Sequence, residues 1–264
     1  MGKYWHITAA WLERILIYRA RIIIWFFTDS LHFLVLPFVW LTIYGSRQTL
    51  LGYSRSDIVT YYIVTAIISW VGISSINNPI RRDILRGDLN MHLAKPFNYL
   101  LYHSVHEVAY KIINLQVGGI FLLALLLALP RYVHGPQSWW QALGFLIFLV
   151  FSFALSQLLS MAVALTSFWW GENSALNQVR IGLQQLFSGG LAPLPFLPGA
   201  LQTMANYLPF KYLSYLPTQI YLGRISGQDL GLALVQFGIW LLGALLFVRW
   251  LWHRGLTQYD GAGI

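Results

Sequence analysis

Residues 139–169, WWQALGFLIFLVFSFALSQLLSMAVALTSFW, contain no aspartate, glutamate, lysine or arginine. A helix needs about 20 mostly apolar residues to cross the hydrocarbon core of a bilayer. Four further stretches, residues 22–44, 57–79, 108–129 and 230–252, pass the same test, and residues 174–191 are more moderately apolar. The sequence therefore predicts an all-α integral membrane protein whose six transmembrane helices form a single transmembrane domain over residues 1–264.

The composition supports a lipid environment. Charged residues make up 10% of the chain, whereas soluble domains have about 25%. The 12 Trp, 15 Tyr and 16 Phe are typical of anchors at the two bilayer interfaces. The net charge of +8 does not indicate nucleic-acid binding, because the basic residues lie at the ends of apolar stretches. The absence of cysteine excludes disulfides and thiolate metal sites.

The basic residues also orient the chain. With the N-terminus inside, Arg47, Arg55, Arg131, Lys211 and Arg224 fall outside, and the other twelve of the 17 Lys and Arg fall inside. The positive-inside rule then places both termini in the cytoplasm. Residues 1–21 interleave apolar and basic side chains, which predicts an interfacial helix on the membrane surface. A simple extension of the first span remains the alternative, and no cleaved signal peptide is expected.

Residues 80–97, between spans two and three, hold the densest cluster of charge. Ile84, Leu85 and Leu89 fall within about one and a half helical turns, and Gly87 can end such a helix. An amphipathic cytoplasmic helix of this kind could dock into a groove on a soluble partner. A solvated loop that only orients the chain is the competing interpretation.

A proline-rich stretch, residues 192–223, precedes the last span. Its apolar character and repeated prolines favour short re-entrant or interfacial helices, since irregular backbone at membrane depth must be covered by protein or line a cavity. The residues that mark it are Pro193, Pro195, Pro198, Pro209, Pro217 and Gly223.

Two motifs carry a family resemblance. The pattern R-x-G-x-L-x-x-x-L-x-K-P, running from Arg86 to Pro96, resembles the loop of type-2 ATP-binding-cassette (ABC) exporter permeases. The segment around LAPLPFLP (191–198) and the pattern P-x-x-x-x-x-G, from Pro217 to Gly223, are similar to the re-entrant segment of these proteins. Within the class, the chain resembles the compact six-span family related to drug and viologen exporters.

The resemblance implies a bacterial inner-membrane half-transporter. It would pair with a second permease, identical or homologous, and with a dimer of cytoplasmic ABC ATPases, and export a small hydrophobic, amphiphilic or cationic compound or a lipid by alternating access. The chain has no G-x-x-x-x-G-K-[ST] phosphate loop, so we expect a non-catalytic subunit with no cofactor or metal, and ATP and magnesium in the ATPase. The implied coupling residues are Arg81, Arg82, Asp83, Ile84, Leu85, Arg86, Gly87, Asp88, Leu89 and Leu93.

A substrate passage between two such permeases would be lined mainly by spans one, two and five. Asp29 lies about two turns into span one with His32 on the same face, and an intramembrane carboxylate is a functional candidate. Pairing with Arg21 or Arg81 near the interface is the structural alternative. The expected passage residues are Trp25, Phe26, Asp29, Phe33, Trp70 and Phe187.

Two other functions stay open from the sequence. A membrane-embedded transferase would cluster histidines and carboxylates near one interface, and His103, His106 and Glu107 are the best such group. They lack an evident third ligand set for a metal. An ion-coupled carrier is the other alternative, although the sequence shows no internal repeat.

Overall fold

The computed structural model describes residues 31, 35–225 and 227–259, and this part of the chain is mostly helical. Its only strands are β1 (Thr49–Leu50) and β2 (Tyr53–Ser54), which form an antiparallel hairpin. The expected interfacial helix, residues 1–21, lies outside the described residues. The helices are Val35–Tyr44 (α1), Arg55–Gly72 (α2), Asn77–Arg86 (α3), Leu89–Leu93 (α4), Tyr99–Ala128 (α5), Trp139–Leu165 (α6), Ser167–Trp170 (α7), Ser174–Phe187 (α8), Gly199–Tyr207 (α9), Tyr215–Tyr221 (α10) and Gln228–Leu256 (α11).

Four helical stretches of the described chain are long and apolar enough to cross a membrane: Arg55–Arg86, Tyr99–Ala128, Trp139–Trp170 and Gln228–Leu256. They confirm the prediction of an all-α membrane protein. The six-span count stays a prediction, because about half of span one lies outside the described residues and α8 has only 14 residues. At 1.5 Å per residue α8 is about 21 Å long, short of the roughly 30 Å hydrocarbon core.

The helices differ in how much of their surface the protein covers. In the most apolar 18 residues of the stretch Arg55–Arg86, 72% of the residues are buried inside the protein. In the most apolar 18 residues of α11, only 11% are buried. Helix α2 packs against α5, α6 and α10, whereas α6 packs against α2, α3, α8, α10 and α11 and is therefore the central helix of the described chain. The outward faces of α5 and α11 carry exposed leucines such as Leu127 and Leu232. These apolar faces are suited to lipid.

The sequence predicted one continuous span over residues 57–79, but the helix is interrupted between α2 and α3. At the break, the backbone N–H of Ser74 donates to Ser156 Oγ (2.9 Å), and that of Ser75 donates to Glu107 Oε1 (2.6 Å). Lys111 Nζ donates to the carbonyl of Ile73. Polar side chains from α5 and α6 thus satisfy the backbone groups that the interruption frees, as an apolar environment requires.

The proline-rich stretch folds into short helices: α9, α10 and two 3₁₀ turns, Leu194–Phe196 and Pro209–Tyr212. Helix α2 holds the residues just before this stretch, because Tyr61 donates a hydrogen bond to the carbonyl of Gly189 and Tyr62 donates one to the carbonyl of Leu191, both of 2.7 Å. Gly189 has a φ of +83°, which favours glycine. The expected short helices are present, and their depth in the membrane stays a prediction.

Candidate functional site

Helices α3 and α4 form a compact unit at one end of the bundle, and we call residues 77–93 the loop helices. Gly87 ends α3 in the left-handed conformation (φ +78°, ψ 0°), and its N–H donates to the carbonyl of Ile84. Glycine adopts this conformation without steric cost. The reversal at Gly87 lets α4 begin at Leu89, so both short helices pack against the same part of the protein.

The inner face of the loop helices is apolar. Ile80, Ile84 and Leu89 are fully buried and join a core with side chains of α6, α7 and α11, including Phe168 and Leu251. The sequence predicted that Ile84 and Leu89 contact a partner protein. In this structure the chain itself covers both side chains, so they attach the loop helices to the membrane helices, and their contact with a partner stays a prediction.

Asp83 also faces inward. Its Oδ2 accepts hydrogen bonds from the Tyr99 hydroxyl (2.9 Å) and contacts His103 Nε2 (3.1 Å), and His92 Nε2 lies 3.6 Å away. Burial lowers the pKa of His92, although the nearby Asp83 carboxylate opposes this shift. Asp83 was expected to be a polar contact for a partner, but it instead joins α3 and α4 to the start of α5. Tyr99 then stacks on Trp252 of α11.

The outer face of the loop helices is cationic, with two exposed apolar side chains. Met91 is 61% exposed and Leu93 is 44% exposed. Arg82 and Arg86 are exposed on α3, and neither forms an ion pair with any residue in the described part of the chain. We call Arg82, Arg86, Met91 and Leu93, together with the exposed Lys95, the outer face. Leu85 and Asp88 lie at its edge and are half-buried.

An ion pair links the loop helices to the base of α8. Arg81 Nη1 contacts Glu172 Oε1, and Glu172 lies in the turn between α7 and α8. The same carboxylate accepts from the backbone N–H of Ser174 (3.0 Å), and the hydrogen bonds from Ser174 hold the pKa of Glu172 below its ordinary value. Asn173 Nδ2 donates to Thr166 Oγ1 (3.2 Å). The loop helices are thus connected to α5, α6, α8 and α11.

The expected passage residues are separated in the structure. Trp25, Phe26, Asp29 and Phe33 lie outside the described residues, as does His32. Trp70 is buried between α2 and α5, next to Phe121, and Phe187 is buried in a different core cluster. Packing within the chain covers Trp70 and Phe187, and their place in a passage between two permeases stays a prediction.

Of two buried charged residues, Arg180 was not predicted to be a site residue, and Glu107 was considered only as part of the transferase alternative. Glu107 is 3% exposed and accepts the hydrogen bonds of the break between α2 and α3, and Arg180 is 7% exposed in α8. The sequence contained a signal for each: Glu107 is four residues before Lys111 in α5, and Arg180 lies within an apolar segment, where a charged residue is a functional candidate. His103 is engaged with Asp83. Within the described ranges, no group of three or more His, Asp or Glu could hold a metal ion.

Comparison with known families adds one finding. A family model described as "ABC-2 family transporter protein" matches residues 31–263 and so covers most of the chain, including the loop helices and the proline-rich stretch. No curated protein and no solved structure matches the chain.

Proposed function

Because this chain belongs to the ABC-2 family of transporter proteins and is a multi-pass membrane permease, we propose that it is one half of an ABC exporter. It pairs with a second permease, identical or homologous, and with a dimer of separate cytoplasmic ABC ATPases. The complex exports a small hydrophobic, amphiphilic or cationic compound or a lipid by alternating access. The family match over residues 31–263 carries this proposal.

The outer face of the loop helices is the surface that we assign to the ATPase. Two exposed apolar side chains, Met91 and Leu93, suit a groove, and the surrounding arginines set orientation and the rate of encounter. The excess of lysine and arginine on this side supports a cytoplasmic location for the loop helices and both termini in a bacterial inner membrane.

Coupling would pass through the inner contacts of the loop helices. A force on α3 reaches α5 through Asp83 and His103, and reaches α8 through Arg81 and Glu172. The buried leucine and isoleucine side chains make the unit move with α6 and α11. ATP and Mg²⁺ would be held by the ATPase, because the sequence has no phosphate-binding loop motif. We therefore propose that this chain transports without catalysing hydrolysis itself.

The test is recovery of an ATPase with the tagged chain from membranes of its native host. We expect an ABC ATPase to co-purify, and the double variant Met91→Asp/Leu93→Asp to recover at least about tenfold less of it, since burying each apolar side chain contributes about 1.5–3 kcal/mol and about 1.4 kcal/mol is a factor of ten. Both side chains are exposed, so the variant should keep its fold.

Leu51→Asp is the matched control. Leu51 is also 61% exposed, but it lies in the hairpin far along the chain from the loop helices, and its positive φ tolerates aspartate. This variant should recover as much ATPase as the unmodified chain. Unchanged recovery with the double variant would refute the assignment of the outer face, and an isolated chain with full transport activity would refute the exporter proposal.

A further inference from the structure

The contact between α3 and the second half of α6 is polar at one end and apolar at the other. On α3, the buried residues Asn77, Ile80 and Ile84 lie three and seven residues apart, which places them on one helical face. Ile80 and Ile84 belong to the same core cluster as Met161 and Ala164 of α6. Asn77 therefore faces α6 as well.

Ser160 is the residue of α6 that lies opposite Asn77. The two helices run in the same direction, since α3 goes on to pack against α7, which follows α6. Just before α3, the backbone N–H of Ser74 donates to Ser156 Oγ (2.9 Å). Asn77 is three residues after Ser74, and Ser160 is four residues after Ser156. Each is therefore about one helical turn beyond that hydrogen bond.

Six buried side-chain atoms along this contact have no hydrogen-bond partner among the residues that the structure describes. They are both amide atoms of Asn77, the hydroxyls of Ser160 and Ser167, Oδ1 of Asn173 and Nε of Arg81. Ser167 begins α7, and Asn173 donates through Nδ2 to carbonyls at the end of α6. We call this contact, from Asn77 to Asn173, the polar seam.

So many buried atoms without a protein partner indicate bound water. Bulk solvent does not reach these side chains, because four of them are each no more than 3% exposed: Asn77, Ser160, Ser167 and Asn173. Nearly all buried polar groups bond to protein or to ordered water, since an unsatisfied group keeps its desolvation penalty. A buried water forms two to four hydrogen bonds with such groups. The amide of Asn77 alone offers two N–H donors and a carbonyl acceptor.

We propose that bound water fills the polar seam and connects the surface at Glu172 with the break between α2 and α3. Arg81 is one turn after Asn77 and contacts Glu172, whose side chain is 57% exposed. The rise from Asn77 to Arg81 is about 6 Å, which about two or three waters span at about 2.8 Å per hydrogen bond. At the inner end, Ser74 Oγ donates to the buried carboxylate of Glu107 (2.9 Å). The seam thus gives water a route to the break.

The experiment is hydrogen–deuterium exchange of single thiols in the purified chain, followed by the S–H stretching band in the infrared after transfer to D₂O. The natural chain has no cysteine, so the band reports only the introduced residue. Ser160→Cys places a thiol in the polar seam. Ser152→Cys is the matched control, because Ser152 is also fully buried on α6 but its hydroxyl donates to the carbonyl of Leu213 (2.6 Å).

We expect the Ser160→Cys thiol to exchange at least about a hundredfold faster than the Ser152→Cys thiol, because exchange in a dry core waits for local opening. Equal rates would overturn the proposal. The proposal requires neither an ATPase nor transport, so its test is independent of the exporter assignment.

A second comparison asks whether the polar groups of the seam hold the water. Adding Asn77→Leu to Ser160→Cys removes the amide at similar volume and should slow exchange of the thiol at least about tenfold, because the water loses its hydrogen-bond partners. Adding Asn206→Leu, at an exposed position of α9, should leave the rate unchanged. An unchanged rate with Asn77→Leu would also overturn the proposal.

Discussion

At the residue scale, Asp83 decides how the charged loop is attached to the bundle. A carboxylate in a basic, polar loop is ordinarily expected at the surface, and the family resemblance implied that Asp83 contacts a partner. In the structure it receives hydrogen bonds from α5. The spacing contained the signal, because Ile80, Asp83 and Ile84 are three and four residues apart and therefore share one helical face. The partners of Asp83, Tyr99 and His103, could not be identified without the packing of α5.

Replacing Asp83 should therefore destabilise the protein more than replacing an exposed charge nearby. Asp83→Ala leaves the hydroxyl of Tyr99 and the ring of His103 without their acceptor. We expect a loss of about 1–3 kcal/mol in the free energy of unfolding, because buried polar groups left unsatisfied carry a desolvation penalty. The measurement is thermal unfolding in detergent, followed by circular dichroism. Arg86→Ala, at an exposed position on α3, should stay within about 0.5 kcal/mol. Equal midpoints for the two variants would show that Asp83 is not structural.

At the element scale, length and apolar character predict the long helices well and their interruptions poorly. Helices α6 and α11 follow from long uncharged runs, and Gly87 signals the end of α3. The start of α5 at Tyr99 could have been recognised from Asn98, whose side chain accepts from the N–H of Leu101 (3.0 Å) as a helix cap. The break between α2 and α3 could not have been recognised from the sequence, because Glu107, from a distant part of the chain, stabilises it.

The packing of α2 against α5 depends on Gly118. A Cβ at this position would lie under 3.0 Å from ring carbons of Trp70, whereas a Cβ on Gly119 meets no atom within 4 Å. Gly118→Ala should lower the free energy of unfolding by about 1–3 kcal/mol through overpacking. Gly119→Ala should be neutral or stabilising by up to about 1 kcal/mol, since alanine favours the helix. Thermal unfolding of the two variants, side by side, measures the difference. If the unfolding midpoint of Gly118→Ala equals or exceeds that of Gly119→Ala, Trp70 does not pack closely against Gly118 and the prediction is wrong.

At the scale of the whole molecule, the two ends of the bundle have different chemistry. The hairpin end is closed by polar contacts: Arg224 Nη2 donates to Asp57 Oδ2 (2.8 Å) and the guanidinium lies 3.9 Å from the centre of the Tyr53 ring. At the other end, the loop helices expose arginines that have no ion-pair partner in the described chain. Helix α2 begins at the hairpin and leads into α3, so a membrane around α2 separates the hairpin from the loop helices.

This polarity predicts which end meets the cytoplasm, and single cysteines can report it because the natural chain has none. Leu51 in the hairpin and Met91 in the loop helices are each 61% exposed, so Leu51→Cys and Met91→Cys differ in location rather than in access to solvent. In right-side-out membrane vesicles, a membrane-impermeant maleimide should label Leu51→Cys at once and Met91→Cys only after detergent is added. The unmodified chain should remain unlabelled under both conditions. Labelling of Met91→Cys before detergent would place the loop helices outside, where no ATPase is present to act on them, and the charge distribution would then have to be explained by something other than topology.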